Sequence, residues 1–256
     1  MAGTKIVKLR LQGGSDDRLP SLKDSIVPEN VIEAASTAFE KSVWSPLMVG
    51  MYDEAGRRIK EADPENVLFG SLNSGQIQTL YQKLEESFKG DKEYDYKMGT
   101  FITQLMQRST KSEFKLKVSS LLQCFGMNLS GGKKITVEGD LGNYAGLEMS
   151  DGQLIVDGSV GAWAGQGMTG GYLEIGNNAS SWLGFKMNGG KIVVKGNVGD
   201  FAGERMDGGK IFVHGNAGKY AANFMKDGLM DIRGDVEEFG KIAGGTVHHR
   251  GRKVKT

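Results

Sequence analysis

The sequence repeats at intervals of 19 residues through most of its second half. Methionine recurs at this step, and so does an aromatic residue. The methionines are Met149, Met168, Met187, Met206 and Met225. The aromatic residues are Tyr144, Trp163, Trp182, Phe201, Tyr220 and Phe239. A fixed short period is typical of solenoid proteins, in which each repeat forms one coil and packs on its neighbours.

Each repeat contains one short apolar alternation. In the stretch "KIFVHG", Ile211 and Val213 alternate with other residues, so both side chains lie on one face of a strand. Because the coils have equal length, we expect the strands to stack in parallel about 4.8 Å apart, with these pairs inside. The register extends back to Leu116, Val118 and Phe125, and "AGGTVHHRG" predicts a last strand that arrives two residues early. About seven coils are implied.

Glycine is expected at the corners of the coils. Of the 39 glycines, 30 lie at or after Gly126, whereas all four prolines lie in the first quarter. A corner needs positive φ or close backbone approach, which glycine permits. The predicted corner glycines are Gly146, Gly165, Gly184 and Gly203, and Ala222 takes the equivalent position in the next coil.

We call the residues that occupy one position in successive repeats a file, and three other files have predicted roles. We expect the aromatic and methionine files to fill the interior, where methionine adapts well to irregular space. A polar file is expected to bond the backbones of neighbouring coils at a corner. Its members are Asp140, Ser159, Asn178, Asn197, Asn216 and Asp235.

These patterns predict a mainly β protein. Residues 113–256 are predicted to form a right-handed parallel β-helix with 19-residue coils, preceded by a small α+β domain of unknown role at residues 1–112. A leucine-rich repeat is disfavoured because "GDFAGERMDGG" is too rich in glycine for a helix. A hexapeptide β-helix is disfavoured because no sub-period of six is visible. In the first domain we expect strands near residues 5–11 and 45–63, and helices at 28–41, 74–89 and 98–108.

Few residues suggest chemistry. The glycine pairs do not match a phosphate-binding loop. His214 is expected on a solvated face, and the adjacent His248 and His249 would point to opposite sides of a strand. Cys124 is interpreted as a buried thiol, and the basic run at 248–255 as a solvated tail or a docking segment for an acidic partner.

We therefore expect no catalytic, cofactor-binding or metal-binding residue on this chain. Lys plus Arg number 32 against 31 Asp plus Glu, which does not favour nucleic-acid binding. No apolar run is long enough to span a membrane, and a single cysteine favours a reducing, cytoplasmic location. Each end of a solenoid exposes unpaired strand edges, which points to protein partners or a cap.

The coils "GGKIVVKGNVGDFAGERMDGGKIFVHGNAGKYAANFM" resemble a family of glycine-rich parallel β-helices. This family includes the β-helical subunit of formylmethanofuran dehydrogenase and the C-terminal domain of the glutamate synthase large chain. The resemblance covers roughly residues 114–250. In both relatives the β-helix is a scaffold for catalytic neighbours, so no catalytic residue is carried over.

The resemblance implies three alternative functions. The first is a non-catalytic scaffold subunit of a one-carbon oxidoreductase complex of the kind used in methanogenesis, performing formyl transfer or tungsten/molybdenum redox chemistry. The second is a separate β-helix subunit of a glutamate-synthase-type amidotransferase, and the third is a paralogous binding module. Cofactors such as W/Mo, Zn, Fe–S or FMN would then belong to partner subunits.

Overall fold

The computed structural model describes residues 27, 29–41 and 72–254. Contacts divide the chain into two compact units, residues 1–114 and 115–256. The predicted domain boundary, between residues 112 and 113, stays a prediction, although it lies close to this division. The strands predicted near residues 5–11 and 45–63 lie outside the described residues. Within the described ranges, no helix has both the length and the apolar character needed to cross a bilayer.

The described part of the first unit is helical. Its helices are α1 (Glu29–Lys41), α2 (Ser74–Phe88) and α3 (Tyr94–Arg108), close to the predicted positions. Helix α2 begins with a capping box, because the Asn73 side chain accepts from the Gln76 N–H and the Gln76 side chain accepts from the Asn73 N–H. These two bonds satisfy donors that a helix start otherwise leaves free.

The three helices share an apolar core. Phe39 of α1 lies among three rings, with centroids 4.9 Å from Phe88, 5.8 Å from Phe101 and 6.4 Å from Tyr94. From α2 the buried apolar residues recur at helical spacing, as the sequence predicts. They are Ile77, Leu80, Tyr81 and Leu84.

The second unit is a β-solenoid of about seven turns. Its sheet contains nine strands in sequence order. They are β1 (Glu113–Lys117), β2 (Lys134–Glu138), β3 (Gln153–Val156), β4 (Thr169–Ile175), β5 (Gly189–Val194), β6 (Asp207–Val213), β7 (Asp227–Ile232), β8 (Thr246–His249) and β9 (Arg252–Lys253). Strands β2 to β8 pair in parallel, and β9 pairs antiparallel to β8.

The predicted apolar pairs form the inner face of this sheet. From β2 to β7 both members of every pair have no solvent exposure. The strand register keeps each pair beside its 19-residue equivalent, as Ile192 beside Ile211 and Val194 beside Val213 show. Burying one such side chain contributes roughly 1.5–3 kcal/mol, so the repeated pairs are a major source of stability.

The 19-residue step fails at both ends of the solenoid. Cys124 has a positive φ, as Tyr144 has one coil later. Cys124, and not Phe125, is therefore the equivalent of Tyr144 in the first coil. Phe125 therefore does not belong to the aromatic file, and its side chain is fully buried. At the other end Met230 pairs with Val247, a step of 17 residues, so the early last strand is as predicted. This shorter coil pairs Phe239 with Ala221, which removes Phe239 from the aromatic file.

The four predicted corner glycines all have left-handed backbone, with φ between +65° and +71°. A side chain there would also lack space. A Cβ on Gly184 would lie 2.6 Å from Ile211 Cδ1, and one on Gly203 would lie 3.0 Å from Met230 Sδ. Both φ and the packed strand side chains therefore select glycine at this corner.

Candidate functional site

The methionine and aromatic files lie on different sides of the solenoid wall. Met149, Met168, Met187, Met206 and Met225 are fully buried. The expected interior position of the aromatic file is wrong: its rings are half-buried from Tyr144 to Phe201, and Tyr220 is 39% exposed. The residue after each ring points inward instead. These inward residues are Ala145, Ala164, Leu183, Ala202 and Ala221.

The five rings form one continuous ring stack on the surface. Neighbouring ring centroids are 4.9–5.2 Å apart, and neighbouring planes differ by 3° to 22°. The members of the ring stack are Tyr144, Trp163, Trp182, Phe201 and Tyr220. Aromatic pairs contribute about 0.5–1.5 kcal/mol each beyond their buried area, so the stack stabilises the contacts between coils.

The backbone under the ring stack is left-handed. All five ring residues have φ between +58° and +62°, which is unfavourable for residues with a Cβ. Hydrogen bonds to both neighbouring coils hold it there. The Trp163 N–H donates to Ser181 in the next coil, the Gly165 N–H donates to Ala145 in the previous coil, and the Gly167 N–H donates to Phe185 in the next coil.

The polar file forms the predicted ladder between coils. The Asn197 N–H donates to Asn178 Oδ1, and the Asn216 N–H donates to Asn197 Oδ1, both at 2.8 Å. The Asp235 N–H continues the series to Asn216 Oδ1 at 2.8 Å. These oxygens are engaged in holding neighbouring backbones, which is a structural role.

The outer face of the strands carries a polar network with apolar surroundings. Tyr172 donates a 2.5 Å hydrogen bond to Glu174, and Lys195 lies 2.6 Å from the same carboxylate. Lys195, and then Tyr172, lower the pKa of Glu174. Burial, together with the Glu174 carboxylate, raises the pKa of Tyr172 to about 12. The Lys191 ammonium lies 5.5 Å from the Tyr172 ring centroid and 5.1 Å from that of Phe212, within cation–π range.

Cys124 is buried inside the first coil, as predicted. Its side chain has no solvent exposure, and burial raises its pKa to about 12. The thiolate is the nucleophilic and metal-binding form of cysteine, so the burial and the raised pKa both disfavour reaction of this thiol in the folded protein.

The histidines occupy three different environments. His214 directly follows β6 and is exposed to solvent, as expected. His248 and His249 are neighbours on β8, and the ring of His249 contacts the preceding coil. Its Nε2 lies 3.0 Å from the carbonyl oxygen of Gly234, and its ring meets Phe239 edge-on at 5.7 Å.

The basic run is exposed at residues 250–253, as expected, but it forms a hairpin and the expectation of a tail is wrong. Arg250 and Gly251 connect β8 to β9, and both have positive φ, at 51° and 74°. Two consecutive positive φ values are typical of the two-residue turns that join antiparallel strands. The Val254 N–H then donates to Val247 at 2.8 Å, which fixes the returning strand on the last coil.

An open cavity of about 560 Å³ lies beside this hairpin. We call its lining the basic cap: Phe239, His249, Arg250, Arg252, Lys253 and Val254. Arg250 forms an ion pair with Asp235. Arg252 and Lys253 are both exposed, and no carboxylate of the described residues lies within ion-pair distance of either.

The side chains that could ligate a metal are dispersed. Across positions 27, 29–41 and 72–254, no three His, Cys, Asp or Glu side chains form a group suited to holding a metal ion.

Comparison with known proteins supports a family assignment. The family model described as the GXGXG motif matches residues 98–249, which is more than half of the chain. This glycine-rich motif is found in C-terminal domains of glutamate synthases. No curated protein sequence matches the chain. The repeated corners, the parallel sheet and this match together show that the chain belongs to the GXGXG motif family.

Proposed function

We propose that this chain is a non-catalytic scaffold subunit of a multi-subunit one-carbon complex related to formylmethanofuran dehydrogenase. The family match supports the coarser level of this proposal, a subunit related to glutamate synthase or to its β-helix relatives. The closer relation rests on the regular coil sequence, in which the same residue types recur at the same corner from Tyr144 to Tyr220.

The observation that carries the proposal is the filling of the solenoid interior by its own ladders. From β2 to β7 the strand pairs are fully buried, and the methionine file is buried beside them. Each coil is also bonded to the next through the strands, the ring-stack corner and the polar ladder. The result is a continuous, densely bonded body whose regular outer surface suits protein contact.

In this proposal the chemistry belongs to the partner subunits. They would carry the W/Mo, Zn or Fe–S centres, and this chain would hold them at fixed spacing. The chain would then be found in the cytoplasm with those subunits, and it would have neither a nucleic-acid nor a membrane partner.

A second candidate is a separate β-helix subunit of a glutamate-synthase-type amidotransferase. The family match favours it equally, because the motif occurs in the C-terminal domains of those enzymes. The third candidate, a free binding module, would use the helical unit at its N-terminus, since α1 and α2 precede the matched region.

Affinity capture of the tagged chain from its native host, followed by mass spectrometry and metal analysis, tests the proposal. We expect stoichiometric co-purification of metal-dependent hydrolase, formyltransferase or redox subunits with bound W/Mo or Fe–S. Co-purification with an FMN-containing glutaminase would favour the second candidate. Elution of native extract as a lone chain near 27.7 kDa would contradict both scaffold functions.

A further inference from the structure

The ring stack ends at Tyr220 in a different way from the rest of its length. Each earlier ring is covered by the ring of the next coil, with centroids 4.9–5.2 Å apart. The last coil is shorter, and its register places Phe239 beside Ala221. Glu238 therefore stands beside Tyr220, at the place where a sixth ring would continue the stack. Tyr220 is accordingly 39% exposed, whereas the other rings are half-buried.

Glu238 gives this end of the ring stack an unpaired negative charge. Its side chain is exposed, and it has no hydrogen-bond or ion-pair partner among residues 115–254. The neighbouring Glu237 differs, because it lies 3.3 Å from Lys219. The face of an aromatic ring is partly negative and attracts cations, as a carboxylate does. Tyr220 and Glu238 thus both favour a cation at the same place.

The outer face of the strands shows the same combination with its cations present. There the Lys191 ammonium lies 5.5 Å from the Tyr172 ring centroid, and Lys195 lies 2.6 Å from the Glu174 carboxylate. No lysine or arginine of the described residues lies over the Tyr220 ring. The end of the ring stack therefore offers the aromatic and acidic parts of this arrangement to a cation from elsewhere.

Two other carboxylates within residues 115–254 lack a partner, and neither offers this combination. Glu148 is equivalent to Gly167 in the next coil, so no ring lies at its corner position there. Asp231 lies beside Phe212, but the Lys191 ammonium already lies 5.1 Å from that ring centroid. An unpaired carboxylate beside an uncovered ring face is thus particular to the end of the ring stack.

The opposite end of the ring stack provides an internal control. There Cys124 takes the ring position beside Tyr144, and residues 119–128 contain no acidic residue. Both ends are marked by a tyrosine, and only one of them has a carboxylate at the neighbouring ring position.

We propose that the end of the ring stack is the docking site for an arginine side chain of a partner protein. The planar guanidinium stacks on Tyr220, as a sixth ring would, and its forked N–H donors pair with the Glu238 carboxylate. An ammonium group supplies the charge but has no plane to stack, and an aromatic side chain stacks but leaves the carboxylate unpaired. This inference rests on the proposed scaffold function and assigns one of its contact surfaces.

Fluorine NMR of the full chain labelled with 3-fluorotyrosine tests the inference, after single tyrosine-to-phenylalanine variants have assigned the seven tyrosine signals. The probes are acetyl-Gly-Arg-Gly-amide and its citrulline counterpart, which keeps the planar group but not the charge. Exposed cation–π contacts and exposed ion pairs are individually weak, so we expect the arginine peptide to bind about fivefold more tightly. The Tyr220 signal should shift saturably and the Tyr144 signal should not. The fivefold difference should shrink in about 300 mM salt, because salt screens exposed charges.

Two matched variants locate the effect. Glu238→Gln removes the charge and keeps the shape, so the arginine peptide should then bind no more tightly than the citrulline peptide. Glu148→Gln removes the other exposed, unpaired carboxylate of the described solenoid, and it should retain the preference for arginine.

Equal binding of the arginine and citrulline peptides, no shift of the Tyr220 signal, an equal shift at Tyr144, or a retained preference in Glu238→Gln would overturn the inference. Tighter binding of acetyl-Gly-Phe-Gly-amide would overturn it in favour of an aromatic side chain. If partner subunits co-purify but Tyr220 does not respond, the scaffold function stands and the docking assignment fails. If Tyr220 responds as expected but no subunit co-purifies, the docking site stands and the scaffold function fails.

Discussion

Replacing Trp182 by alanine and, separately, by glycine tests whether the ring stack compensates for a left-handed backbone. Trp182 has φ +59° and stacks between Trp163 at 4.9 Å and Phe201 at 5.1 Å. Both substitutions remove these two contacts. Only alanine keeps a Cβ on the unfavourable backbone.

The magnitudes follow from these contacts. Losing two ring pairs costs about 1–3 kcal/mol, to which the lost burial of the half-buried indole adds roughly 1–2 kcal/mol. A Cβ at left-handed φ costs about 1–2 kcal/mol relative to glycine. We therefore expect Trp182→Ala to destabilise the protein by about 2–5 kcal/mol, and Trp182→Gly to be about 1 kcal/mol less destabilising than Trp182→Ala.

Urea unfolding with matched m-values measures the two free energies of unfolding. Val193, on the outer face of β5 and without positive φ, provides the control. There glycine should be less stable than alanine by about 0.5–1 kcal/mol, the usual order in a strand. If alanine is as stable as glycine at position 182, or if the order is the same at both positions, the reasoning about the left-handed corner is wrong.

Three further predictions concern the corner, the polar ladder and the buried thiol. Gly203→Val should destabilise the protein by about 2–4 kcal/mol, because φ is +71° and the new Cβ would lie 3.0 Å from Met230 Sδ. The control Gly90→Ala has open space around it and should change the melting temperature little. If Gly203→Val melts like the wild type, the corner assignment is refuted. Asn197→Ala should cost about 1 kcal/mol by leaving the Asn216 N–H without its 2.8 Å acceptor, and hydrogen exchange at that amide should accelerate. Cys124 should resist thiol reagents until the protein unfolds. Because burial raises its pKa from 9.0 to about 12, folding stability present below pH 9 should decrease between pH 9 and about 12, and Cys124→Ala should reduce that decrease.

The sequence predicted the strands and corners well because their signals are local. The pair of Ile211 and Val213 has the two-residue period of a strand, and its recurrence at fixed intervals leaves parallel stacking as the consistent arrangement. Corner glycines such as Gly203 were predictable because few other residues accept both positive φ and the missing space. Helix α2 followed from its apolar stripe in the same way.

The position of the ring stack was not predicted. A 19-residue period shows that Trp163 and Trp182 align, but it does not show whether they align inside or outside. The signal that was missed is the next residue, since Ala164 and Leu183 are buried while the rings before them are not. The sign of φ at each ring determines this choice, and it depends on hydrogen bonds to two neighbouring coils.

The end of the solenoid was missed for a related reason. The basic composition of residues 248–255 favours a solvated tail, whereas the Arg250-Gly251 turn favours a hairpin. A two-residue turn is a weak signal by itself. The turn leads to a hairpin here because β8 lies on the last coil and its free edge pairs with β9.

By itself, the sequence determined the coil length, the inward strand pairs and the glycine corners, since each depends on the period of one side-chain property along the chain. The tertiary structure decided which files face solvent, where the first and last coils leave the register, and how the basic end folds back as a hairpin. These features depend on contacts between residues that are neighbours only after the coils have stacked, and no local pattern contains that information.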